Sequence, residues 1–137
     1  MAEPPDISGT DSSYYIGLQV NEIGRRLWMG VESEFVIAMT TLGREADAVQ
    51  LARILLEREL VACVSIVPSV RSLYRWKGAI EDGEEFLLIM KTRGALFERL
   101  ERSVDELHPY EVPELLCLPV SGGHEPYLKW LTESVSD

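Results

Sequence analysis

What constrains this chain most is the order in which its apolar periodicity changes. From Glu34 onward, short β-branched runs alternate with stretches whose apolar residues recur every three or four positions. Phe35–Thr41 is a compact apolar run and predicts a first strand. Glu45 and Asp47 then suit the positive end of a helix dipole. Val49, Ala52, Leu56 and Leu60 recur at helical spacing, predicting a helix through about residue 59 with these residues as its apolar stripe. Val61–Val67 predicts a second strand that Pro68 ends or bends. Ser72–Trp76 and Glu85–Thr92 read as the arms of a long hairpin, with turn chemistry supplied by Asp82-Gly83. Phe97, Leu100, Val104 and Leu107 form one face of a second helix. Pro109 and Pro113 keep the next stretch irregular, and Leu115–Pro119 predicts a fourth strand. Gly122-Gly123 breaks the chain before a terminal helix, with Pro126 in its first turn and Leu128, Leu131 and Val135 on one face.

The order β-α-β-β-α-β predicts an α+β fold of the split βαβ, or ferredoxin-like, kind, with a long hairpin and a C-terminal helix. In such a sheet the strands run 4-1-3-2 and both helices cover one face. Yet Phe86, Leu88 and Met90 point one way along the third strand while Leu87 and Ile89 point the other. A sheet apolar on both faces and covered on one calls for assembly.

The 137 residues suit a single domain of ordinary apolar content, 46%. Residues 34–137 are expected to form it, and residues 1–33 an extension that is partly flexible. Within that extension Tyr14, Ile16, Leu18 and Val20 alternate like a strand, and Asn21 could cap a short turn carrying Ile23 and Leu27–Met29. No apolar run approaches the roughly 18 residues of a membrane span. Thirteen Lys+Arg against 23 Asp+Glu give a net charge of −10, which disfavours nucleic acid as a partner. The start of the chain lacks the pattern of a secretory signal. Two cysteines are too few for a disulfide-stapled secreted domain, so a cytoplasmic location is expected.

Little in the sequence signals catalysis. Cys63 and Cys117 fall on opposite sheet edges, on the order of 14 Å apart, too far for a disulfide or a shared metal within one subunit. His108 and His124 sit in turn-like segments without a dense ligand cluster. There is no Gly-x-Ser-x-Gly elbow, Walker loop or Gly-x-Gly-x-x-Gly. A polar–aromatic set remains. Tyr74 and Trp76 share a strand face, and Tyr110, Tyr127 and Trp130 could pack with them at an oligomer interface. Alternatively these residues line a ligand pocket between subunits, where Lys91 offers charge to an anion and Glu85 and Glu114 offer acceptors.

The spaced motifs Ser72-Leu-Tyr-Arg-Trp-Lys-Gly-Ala-Ile-Glu81, Glu85, Lys91-Thr92, His108-Pro-Tyr-x-x-Pro-Glu114 and Tyr127-x-x-Trp130 resemble those of the CutA family, the divalent-cation tolerance proteins. Cys63 and Pro68 match as well, and the resemblance runs without an obvious gap over residues 35–135. It implies a tight homotrimer, similar in architecture to PII signalling proteins, with no settled enzymatic activity and no required cofactor. It also implies a role in tolerance of, or response to, copper or another divalent cation, with His108 as the metal-binding residue. Family members credited with copper binding carry a second His where this chain has Leu107 and a Cys where it has Thr40. Leu cannot ligate, and a neutral hydroxyl poorly replaces a thiolate, so at most weak binding through His108 is expected. The alternative is a PII-like module that binds a small anionic metabolite in the inter-subunit cleft.

Overall fold

The computed structural model describes residues 33–136. The strand-like and turn-like segments expected between Tyr14 and Met29 lie outside the described residues. Within them run β1 (Phe35–Leu42), α1 (Glu45–Glu57), β2 (Cys63–Trp76), β3 (Ala79–Arg93), a short 3-10 turn (Gly94–Leu96), α2 (Phe97–Leu107), β4 (Leu116–Pro119) and α3 (Glu125–Glu133). The sheet is antiparallel in the order β2-β3-β1-β4, as the split βαβ pattern requires.

Strand alternation divides the sheet into a sealed face and an open one. Val36, Ala38, Thr40 and Leu42 of β1 and Leu88, Met90 and Thr92 of β3 are buried beneath the helices. Ala48, Leu51, Ala52 and Leu55 of α1 meet them, as do Phe97, Leu100 and Val104 of α2. Truncating Leu55 or Leu100 to Ala would cost about 2–5 kcal/mol, because either leaves a cavity in this layer. The expected stripe of α1 is corrected here. Val49 and Leu56 are exposed, and the core face is the neighbouring one through Ala48, Leu51, Ala52 and Leu55. Both stripes have helical spacing, and only the position of the sheet decides between them. On the other side of the sheet, Ile37, Met39, Leu87 and Ile89 are half-buried. Leu116 and Leu118 beside them are 55% and 44% exposed. A second small cluster joins Leu131 and Val135 to Ala62, Leu96 and Phe35.

The hairpin is longer than expected, and its turn lies elsewhere. Trp76 pairs with Ala79, and the two residues between them, Lys77 and Gly78, have φ of 47° and 80°. Two consecutive positive φ values are those of the tight turn that suits the strand twist. Asp82 and Gly83 instead lie within β3, opposite Leu73 and Ser72. Asp82 accepts two hydrogen bonds from the Arg71 guanidinium, at 2.9 and 2.7 Å. Pro68 bends β2 without ending it. Register slips between Val67 and Val70, with Ser69 at φ 58°, and the edge position of β2 tolerates the missing N–H. Pairing of β3 with β1 stops at Leu42–Phe86, so the ribbon of residues 70–85 continues past the body of the sheet.

Candidate functional site

Because β1 ends at Leu42, Glu85 has no β1 neighbour, and the segment after α2 takes that place. His108 caps α2, its N–H donating to Val104 O at 2.8 Å. Its ring is 6% exposed. Nε2 lies 2.9 Å from the backbone oxygen of Thr41; a carbonyl can only accept, so Nε2 carries the proton. Nδ1 is therefore bare and accepts the N–H of Tyr110 at 3.1 Å. Burial holds the imidazole below its ordinary pKa, while the Thr41 carbonyl and the Glu85 and Asp47 carboxylates pull it back up. Tyr110 packs its ring 4.8 Å from that of His108 and donates its hydroxyl to Glu85 Oε2 at 3.2 Å. Glu114 joins the group through the Thr41 side chain. Burial raises its pKa, the Thr41 hydrogen bond opposes that, and the Glu85 charge adds to the rise.

Here then is a neutral imidazole with both nitrogens engaged, next to Tyr110 and Thr41, which hydrogen-bond the Glu85 and Glu114 carboxylates respectively. Such a group can orient or accept hydrogen bonds from a ligand, and it contains no activated nucleophile. A metal ion could reach His108 only by displacing the Thr41 carbonyl or the Tyr110 N–H. Among the described residues, no three His, Cys, Asp or Glu side chains gather so as to hold a metal ion. Sequence reasoning missed Thr41, whose carbonyl and side chain organise this corner. Its only signal was a Thr-Thr pair ending a strand.

The chain alone does not bring the rest of the predicted set to this corner. Lys91 lies six residues further along β3, roughly 20 Å away at strand rise. There its ammonium donates to Ser65 Oγ at 3.0 Å and approaches Cys63 Sγ at 3.6 Å. Tyr74 and Trp76 lie on the projecting ribbon, opposite Glu81 and Ala79. Tyr127 and Trp130 stack on α3 with ring centroids 5.5 Å apart. Thr40 points into the sealed core, and Leu107 packs against it, so both positions are structural here. Cys63 and Cys117 occupy opposite edge strands. Burial pushes the Cys117 thiol up to about 12, which makes it unreactive at neutral pH.

A family model described as CutA1 divalent ion tolerance protein matches residues 36–134, a span that contains every residue of this corner. The chain belongs to that family. It is 45% identical over 103 residues to Protein CutA of Homo sapiens, covering 73% of this chain and 58% of the human one. With the divalent-cation tolerance protein CutA of Thermus thermophilus it shares 42% over 98 residues, covering 72% of this chain and 95% of that one. The solved structure of the Thermus thermophilus protein superposes with a TM-score of 0.72 at 40% identity, covering 74% of this chain and 99% of that one. For CutA1 from Oryza sativa the TM-score is 0.75 at 36% identity, covering 78% and 98%. The chain thus spans little more than half the length of the human relative and nearly all of the bacterial one. No helix among the described residues is long and apolar enough to cross a membrane.

Proposed function

We propose that this chain acts in divalent-cation tolerance as a non-enzymatic homotrimer of the cytoplasm that binds copper or another divalent cation weakly, through His108. The observation that carries this reading is the state of the His108 ring. It feels the Glu85 and Asp47 carboxylates, which attract cations, and Glu114 joins through Thr41, yet each of its nitrogens already has a hydrogen bond. Ligation must break one of these, and a hydrogen bond at a buried site costs about 1–3 kcal/mol to lose. Affinity falls by the same amount. The absence of Cys and His at Thr40 and Leu107 removes further ligands. Calorimetric titration of copper into wild type and His108→Ala tests this: binding lost or weakened about tenfold in the variant is expected. Equal affinities would remove His108 from the role. The open sheet face, with Ile37, Met39, Ile89, Leu116 and Leu118, supports assembly.

A second reading rests on Lys91. Its ammonium sits on the open face with only Ser65 and Cys63 as hydrogen-bond acceptors among the described residues. This favours a PII-like site in which a partner subunit closes a cleft over a small anion. A metabolite screen by thermal shift should then raise the melting temperature of wild type and not of Lys91→Gln. No shift with any anion would discard it.

A further inference from the structure

On the helix-covered side, the end of α1 and one flank of α2 border an open depression of about 360 Å³. Arg58, Leu60, Arg99, Arg102, Ser103 and Glu106 line it. Arg99, Arg102, Ser103 and Glu106 are spaced by three and four along α2 and so share a flank. Arg58 caps the C-terminus of α1. Its Nη1 reaches across to donate to Ser103 Oγ at 3.1 Å and to Glu106 Oε2 at 3.4 Å.

Charge is what sets this place apart. In a chain of net charge −10, three guanidiniums converge here against a single lining carboxylate. That carboxylate is taken by Arg58. Among the described residues Arg99 donates only to the backbone oxygen of Ser136, at 3.3 Å, and Glu59 close by is engaged by the Ser136 hydroxyl. Arg102 has no hydrogen-bond or ion-pair partner among the described residues. Ser103 is 8% exposed and accepts from Arg58, which leaves its own O–H without an acceptor among those residues. Forked donors and a spare buried hydroxyl are the chemistry that grips tetrahedral oxyanions two oxygens at a time.

We propose that this depression binds a phosphate group, free or carried by a nucleotide, through Arg99, Arg102 and the Ser103 hydroxyl. The volume is at the lower end for small-molecule sites, and Leu60 adds an apolar wall for a carbon skeleton. The depression lies on the opposite side of the sheet from the uncovered apolar face, so it stays accessible when that face is covered.

Calorimetric titration of the full chain with inorganic phosphate, pyrophosphate and adenosine monophosphate tests the site. Arg102→Gln is the informative variant, because Arg102 makes no hydrogen bond or ion pair among the described residues, and an unchanged melting curve is expected for it. Saturable binding that Arg102→Gln and Ser103→Ala each weaken about tenfold supports the proposal. Equal affinity for phosphate and the nucleotide assigns the free oxyanion, and tighter nucleotide binding assigns a nucleotide phosphate. No saturable binding below about 10 mM, or binding that Arg102→Gln leaves unchanged, overturns it.

Discussion

Thr40 and Thr92 occupy the same buried face and differ in one respect. Thr92 donates its hydroxyl to Leu60 O at 2.7 Å, whereas Thr40 Oγ1 is buried with no hydrogen-bond partner among the described residues. A hydroxyl withdrawn from water without a partner costs about 1–3 kcal/mol, so the isosteric change to Val should act oppositely at the two sites. Urea unfolding should show Thr40→Val more stable by about 1 kcal/mol and Thr92→Val less stable by a similar amount. His108 predicts a pH dependence. Its folded pKa lies below the usual 6.5, so the unfolded chain takes the proton more readily. Its contribution is complete above about pH 6.5 and is lost as pH falls toward the depressed folded value. Glu114, raised above 4.5, acts in the reverse sense: its contribution is complete below about pH 4.5 and is lost as pH rises through the folded value. Melts of wild type and His108→Gln at pH 7.5 and 5.5 should show the variant losing less stability on acidification. Parallel losses would mean that His108 does not titrate in the fold.

The elements were legible to different depths. Phe97, Leu100 and Val104 fix both the existence and the facing of α2, because polar residues separate its single apolar stripe from every alternative. In α1 two apolar stripes compete, and Val49 and Leu56 read as core although they face outward. Asp82-Gly83 resembles a turn and lies mid-strand, while Lys77-Gly78 turns the chain with a lysine at positive φ that no local preference favours. The corner around His108 was legible only as residue types. Its organising bond runs to the carbonyl of Thr41, 67 residues away in sequence, and no pattern in a single chain announces which backbone oxygen a histidine will meet. One junction yields a sharp test. A Cβ added at Gly94 would lie 2.3 Å from the backbone oxygen of Ser33, and the Gly94 N–H donates to Glu34 O at 2.9 Å. Neither backbone can yield without breaking the start of β1, so Gly94→Ala should destabilise by about 1–3 kcal/mol or more. At Gly78, where φ is positive and nothing lies within 4 Å, Ala should cost only about 1 kcal/mol in the same thermal melts.

Taken whole, the described residues bury one side of the sheet under helices and leave much apolar surface uncovered. The open sheet face and the projecting ribbon, where Leu73 and Ile80 are 62% and 71% exposed, make a continuous demand for burial. Sedimentation at micromolar concentration should therefore find trimers, and monomers there would reject the assembly. Three chains at −10 each would carry about −30 in total, enough to enrich cations diffusely around the assembly. The open face also has a consequence in time. In the proposed assembly, a chain that has sealed its helix-covered core would still display an oily, strand-built surface until copies arrive, and productive encounters would then compete with sticking to any other exposed strand. Yield on refolding should rise with concentration only up to the point where misdirected encounters overtake correct ones, so this fold is governed by a race as much as by a minimum.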